Sequence, residues 1–104
     1  MKSNEEGSNP EQLFTAGYSS CFDRALNFVA MKKKIKVESE TTAEVGFHKD
    51  NADHGYKMSV VLTVRLKGIR NVEAKALVEA AHQFCPFSKA IKGNVDVAVK
   101  HELV

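Results

Sequence analysis

From Leu13 to Val29 the apolar residues fall on nearly every side of a helical wheel: Leu13, Phe14, Ala16, Gly17, Tyr18, Cys21, Phe22, Ala25, Leu26, Phe28 and Val29. With the small residues Ser19 and Ser20 among them, this pattern predicts a core helix from about Pro10 to Met31, buried on most sides. Its start is marked by residue type. Asn9 suits the cap, because its side-chain oxygen can accept from first-turn N–H groups. Pro10 fits the first helical position, where no N–H is needed. Gln12 approximates a capping box with Asn9. Glu11 sets a carboxylate at the positive end of the helix dipole.

The period then changes to two. Ile35, Val37, Ala43, Val45 and Phe47 alternate with Lys36, Glu38, Glu40, Thr42 and Glu44, which predicts a long strand with one wet side. The segment Asp50-Asn51-Ala52-Asp53-His54-Gly55 has turn chemistry and no period. A second alternation, from about Tyr56 to Lys67, sets Met58, Val60, Leu62, Val64 and Leu66 against Lys57, Ser59, Thr63, Arg65 and Lys67, so the pair suggests an antiparallel hairpin. Beyond Gly68, Asn71 is suited to cap a helix from about Val72 to Phe84, with Val72, Ala76, Ala80 and Phe84 as its apolar ridge and Leu77 and Ala81 beside it. Pro86 ends that helix and leaves Cys85 at its C-terminus. Val95, Val97 and Val99 then alternate with Asp96, Ala98 and Lys100 in a last strand. The expected fold class is α+β, in the order α-β-β-α-β, with antiparallel strands around a central buried helix.

At 104 residues the chain is expected to form one domain, residues 1–104, around a single core. A net charge of +2 is too small to argue for nucleic acid, and no basic cluster is interleaved with aromatic residues. Lys32-Lys33-Lys34 stands at a helix end, where cations complement the dipole. No apolar run approaches the roughly 18 residues of a membrane span, and Met1 to Ser8 is polar. The expected compartment is the cytoplasm.

Two cysteines do not make a secreted disulfide scaffold, and at their distance they are not a CxxC redox pair. Taken alone, Cys21 reads as a small core residue. Cys85 at a helix C-terminus is poorly placed to become a thiolate, because the dipole there disfavours negative charge. If the two work together, Cys21 is the attacking thiol and Cys85 its later partner. His82, three residues before Cys85, can meet it on one helix face. Zinc is not expected, since Cys21, Cys85 and His82 lack a fourth ligand at usual spacing. His48, His54 and His101 read as solvated side chains. No phosphate-cradling loop or nucleophile elbow is present.

Two separated stretches bear on the cysteines. Asn9-Pro10-Glu11-Gln12-Leu13-Phe14, Ala16-Gly17-Tyr18 and Cys21-Phe22-Asp23 form the first. Ala81 through Ala90, with Gly93-Asn94-Val95-Asp96-Val97, form the second. Together they resemble the organic hydroperoxide resistance branch of the OsmC-like family. The resemblance covers about residues 8–100. It implies a thiol-dependent peroxidase acting on organic and fatty-acid hydroperoxides, with no bound cofactor or metal. In such a protein the cysteine matching Cys21 attacks the peroxide and the one matching Cys85 closes a disulfide with it. Dihydrolipoamide or a lipoylated protein is the implied reductant. The implied assembly is an intertwined homodimer, its two core helices packed together.

The family also carries a longer segment ahead of the first stretch, whose arginine is held against the reactive cysteine by the glutamate matching Glu11. Here eight residues precede Asn9, and the arginines are Arg24, Arg65 and Arg70. The expectation is an N-terminally truncated relative with weakened activity. A cysteine set in an apolar helix has its ionisation disfavoured, and a guanidinium is the group that reverses this. Without one, Cys21 is expected to be mostly protonated. Arg24 is the one nearby candidate on the same helix. The alternative function is an impaired OsmC-like dimer that binds a hydrophobic ligand or serves structurally.

Overall fold

The structure, a computed structural model, describes residues 10–104. The expected cap by Asn9 lies outside them. Helix α1 spans Pro10–Lys32 and is followed by strand β1, Glu38–Lys49, and strand β2, Tyr56–Lys67. Helices α2 (Asn71–Phe84) and α3 (Pro86–Ile91) then lead to strand β3, Asp96–Leu103. The strands form one sheet in the order β1-β2-β3.

The hairpin arises as its alternation predicts. β1 and β2 pair antiparallel from Glu38↔Lys67 to Lys49↔Tyr56, with Ala43 opposite Leu62 and Val45 opposite Val60. Val60, Leu62, Val64 and Leu66 all lie on the inner face of β2 and are buried. Glu38, Glu40, Thr42 and Glu44 are exposed on the wet face of β1. The far end of the hairpin projects beyond the helices, so Phe47, expected on the inner face, is exposed together with Tyr56.

β3 departs from the expected antiparallel arrangement. It pairs parallel with β2, from Ser59↔Asp96 to Leu66↔Leu103. The reason is the connection: α2 and α3 carry the chain back along the sheet before β3 starts, and parallel neighbours require such a crossover. Alternation in sequence has a period but no direction.

The helices cover one face of the sheet. α1 packs on β1 and α2, and α2 on β3. The buried side of α1 is Tyr18, Phe22, Ala25, Leu26 and Ala30. The expectation of burial on most sides is not met within one chain, because Leu13 and Met31 are 64% and 65% exposed. α2 is corrected more sharply. Its buried residues are Ala74, Leu77, Val78 and Ala81, whereas Val72 is 79% and Phe84 50% exposed. Steps of four drift by about 40° each around a helix, so a strict fourfold ridge wanders off the face it began on. The buried set, with successive spacings of three, one and three, keeps to one side.

The helix ends show how local chemistry sets boundaries. At the end of α1, Ile35 N–H bonds Ala30 C=O at 2.8 Å and Lys34 N–H bonds Met31 C=O at 3.1 Å. These are the paired bonds of a Schellman cap, with Lys34 in the left-handed position at φ 59°. At the start of α2, Asn71 is not the cap. Arg70 precedes the helix, and its N–H donates to Glu73 Oε1 at 3.3 Å. The Asn71 side chain is hydrogen-bonded instead to His101 Nε2 at 2.9 Å.

Candidate active site: a dithiol between two helices

Cys21 sits in the fourth turn of α1, half-buried, and Cys85 is fully buried. Although 64 positions separate them, Cys85 Sγ donates to Cys21 Sγ across 3.7 Å. Both thiols are free. The backbone explains how Cys85 reaches the core. It ends α2, its N–H bonding Ala81 C=O at 2.8 Å, and it also begins α3, its C=O accepting from Lys89 N–H at 3.0 Å. Pro86 ends α2, as expected, but then occupies the first position of a new six-residue helix. Cys85 is therefore a corner between two helices and not simply a C-terminus.

α3 is the element that residue patterns did not indicate, and it supplies the wall of the site. The backbone N–H of Phe87 lies near enough to the Cys21 sulfur to favour its charged form. The Phe87 ring packs with Tyr18 and Phe14, centroids 5.7 Å and 6.2 Å away. Gly17 eases that approach, since a Cβ there would stand 3.2 Å from the ring and the ring would have to give way slightly.

Burial is the main force on the Cys21 thiol. It pushes the pKa up from the ordinary value, and the hydrogen bond with Cys85 adds to this. The Phe87 N–H and, more weakly, the charge of Arg24 pull it down. Arg24 is itself exposed. The balance is a raised pKa, in line with a mostly protonated Cys21. Glu11 lies half-buried in the first turn of α1 and forms no ion pair with a described residue.

Beneath the sulfurs is a polar network that motif reading did not single out. Tyr18 OH and Ser88 Oγ are 2.6 Å apart, and Ser88 Oγ is 2.9 Å from His82 Nδ1. Tyr18 and Ser88 are buried. His82 shares the helix of Cys85, but its ring bonds Ser88, not the thiol that helical spacing suggested. Burial pushes the Tyr18 phenol pKa up, and the charges that Cys85 and Cys21 would carry add to the rise. Burial, with help from Lys92, pushes His82 down. The signal for this network was spacing: Tyr18 and His82 each precede a cysteine by three residues, and Ser88 follows one by three. Only the fold shows that they meet. A cleft of about 570 Å³ opens beside it, lined by His82, Ser88, Lys92, Asp96 and Val97 among others.

Among the described residues, no group of three or more His, Cys, Asp or Glu side chains is arranged to hold a metal ion. No described helix is long and apolar enough to cross a membrane. His48 bonds Ser59 Oγ at 2.8 Å on the exposed hairpin, remote in sequence from the thiols.

A family model described as OsmC-like protein matches residues 3–100. The chain belongs to the OsmC-like family, in its organic hydroperoxide resistance branch. It is 52% identical, over 96 residues, to the organic hydroperoxide resistance protein OhrA of Bacillus subtilis, covering 92% of this chain and 68% of that protein. The crystal structure of OhrB from the same organism superposes with a TM-score of 0.89 at 48% identity, over 92% of this chain and 71% of that one. An organic hydroperoxide resistance protein from Elizabethkingia anophelis, solved with thiocyanate bound, gives a TM-score of 0.90 at 42% identity, over 98% of this chain and 73% of that one. The α+β architecture of this OsmC-like protein is thus that of solved members of its branch.

Proposed function

We propose that this OsmC-like protein reduces organic hydroperoxides with its dithiol. The observation that carries the reading is the 3.7 Å contact between Cys21 and Cys85. The Cys21 thiolate attacks the outer peroxide oxygen, the O–O bond breaks, and the alkoxide leaves as an alcohol after taking up a proton. Cys21 is then a sulfenic acid. Cys85 displaces its oxygen as water and closes the disulfide, which an external dithiol, such as dihydrolipoamide or a lipoylated protein, returns to the free thiols. Every redox step is carried by sulfur, so the reading needs no cofactor. It suits a reducing compartment such as the cytoplasm, where distant thiols stay reduced between turnovers. Glu11, in the first turn of the helix that carries Cys21, matches the family glutamate that holds an arginine toward the thiol. Arg24, Arg65 and Arg70 form no ion pair with it, so in this reading its own contribution is a carboxylate at the positive end of the helix.

Assembly as a homodimer belongs to the same proposal. Leu13, Phe28, Met31, Val72 and Phe84 leave apolar surface exposed on α1 and α2. A two-fold partner that brings a second α1 against this face buries it.

One observation favours the second reading, a dimer that binds a hydrophobic ligand without turnover. The raised Cys21 pKa works against the thiolate. A single assay separates the two: consumption of cumene hydroperoxide with dihydrolipoamide, by wild type and by Cys21→Ser. The peroxidase reading expects consumption that the substitution abolishes. Equal rates overturn it.

A further inference from the structure

The two sulfurs are carried by different helices, so their separation depends on how those helices are held together. Closing a disulfide brings 3.7 Å down to about 2.05 Å, a movement small enough that a slight slide of α1 against α2 would prevent it. Apolar packing from Phe22, Leu26 and Leu77 resists separation but has no preferred direction, so it resists sliding poorly. Hydrogen bonds are directional.

We infer that Ser88 is a positioning residue for disulfide closure: by bonding Tyr18 on the helix of Cys21 and His82 on the helix of Cys85, it holds the two sulfurs at closing distance. Tyr18 lies three residues before Cys21, and His82 three before Cys85, so each sits one turn from its cysteine on the same side of its helix. Ser88 reaches both, at 2.6 Å and 2.9 Å, from the first turn after the corner at Cys85. The inter-helix part of the network is dry: Tyr18 is 0% and Ser88 4% exposed. Water is therefore kept from the Tyr18–Ser88 bond, although the half-buried His82 borders the cleft, and a helix shift that broke the buried bond would strand the Tyr18 hydroxyl. The same short helix carries the Phe87 N–H that favours the charged form of Cys21, so fixing α3 fixes that group as well as the partner thiol.

The inference rests on the dithiol reading above and adds a consequence for product choice. When Cys85 attacks the Cys21 sulfenic sulfur, the S–S bond forms, the S–O bond breaks, and the departing oxygen takes the Cys85 proton to leave as water. The competing step is transfer of an oxygen atom from a second hydroperoxide, which leaves Cys21 as a sulfinic acid and releases an alcohol. Holding the sulfurs in register favours the first step.

The test separates positioning from peroxide chemistry. The purified protein is equilibrated in oxidised and reduced glutathione, with no peroxide, and the effective concentration of the two thiols is measured for wild type, Tyr18→Phe and Ser88→Ala. Tyr18→Phe removes one oxygen and keeps the ring between Phe14 and Phe87, so it serves if Ser88→Ala does not fold. Both variants are expected to lower the effective concentration by roughly fivefold, the equilibrium worth of one net hydrogen bond. Under cumene hydroperoxide, mass spectrometry should then find Cys21 sulfinic acid at peroxide levels several-fold lower than in wild type. Asp23→Asn, which alters a cluster on the other side of Cys21, should change neither readout. Tyr18→Phe within twofold of wild type in glutathione overturns the inference and leaves the dithiol standing. A wild type that forms no Cys21–Cys85 disulfide overturns both. If the disulfide forms and responds to the variants but no peroxide is consumed, positioning is upheld and the peroxidase reading fails.

Discussion

Two hydrogen-bonded clusters flank Cys21 along α1, and they are built for different tasks. On one side Tyr18, Ser88 and His82 are neutral or nearly so, and the bond from Tyr18 to Ser88 is buried. On the other, Asp23 Oδ1 accepts from Ser39 Oγ at 2.8 Å and from Thr41 Oγ1 at 3.0 Å, while Oδ2 accepts from Asn27 Nδ2 at 3.2 Å. The Asp23 cluster docks α1 on β1 and uses a carboxylate that water still reaches, since its members are half-buried or exposed. Charge is tolerable there because it remains partly solvated. Beside the thiols a permanent negative charge would oppose formation of a thiolate, so a neutral network is the compatible choice. One helix thus carries a docking contact and a register contact five residues apart, distinguished by burial and charge.

The largest difference is expected in stability. Ser88→Ala leaves the buried Tyr18 OH without its partner and also removes the part-buried bond to His82, and should cost about 2–3 kcal/mol. Asp23→Ala should cost about 1 kcal/mol, because Ser39 and Thr41 can turn to water. Denaturant unfolding checks both. Equal losses would mean that burial is not what separates the clusters.

The pH response should come next in size. His82 has its pKa lowered from the ordinary 6.5 by burial and then by Lys92. The folded protein accepts that proton less readily than the unfolded chain, so the contribution is intact above about pH 6.5 and is lost as pH falls from there toward the folded value. Melting temperatures between pH 7 and pH 5 should fall more steeply for wild type than for His82→Asn. Parallel curves would show that the histidine does not feel its surroundings.

Reactivity gives the third test. Because burial raises the Cys21 pKa above the ordinary 9.0, alkylation of Cys21 in the Cys85→Ser protein should still be climbing with pH where a free thiol has levelled off. Cys85→Ser keeps a hydroxyl donor at that place, whereas Cys85→Ala removes the hydrogen bond that adds to the rise, so a plateau near pH 9 in Cys85→Ala would show that burial alone does not raise it. The smallest effect belongs to Arg24. It is exposed, and its charge is the weakest influence on Cys21. Arg24→Ala should move the alkylation midpoint upward by well under one pH unit, since salt and water screen an exposed charge. A shift of a full unit would make Arg24 the cationic partner of the thiol.

What local chemistry determines, the amino-acid sequence already contained. α1 ends one residue past Met31, and β2 spans the predicted Tyr56 to Lys67, because capping and period-two alternation act within a few residues. The resemblance of two separated stretches likewise pointed to Cys21 and Cys85. The tertiary structure alone decided the rest. It set the direction of β3, which depends on the path of the crossover. It chose the face of α2 that is buried, which depends on where the sheet and α1 lie, and so Ala74 and Val78 went inside while Val72 and Phe84 stayed out. It brought two thiols to 3.7 Å and put Ser88 between Tyr18 and His82. These are relations between elements distant in sequence. They are fixed by the packing of whole faces, and no short run of residues encodes them.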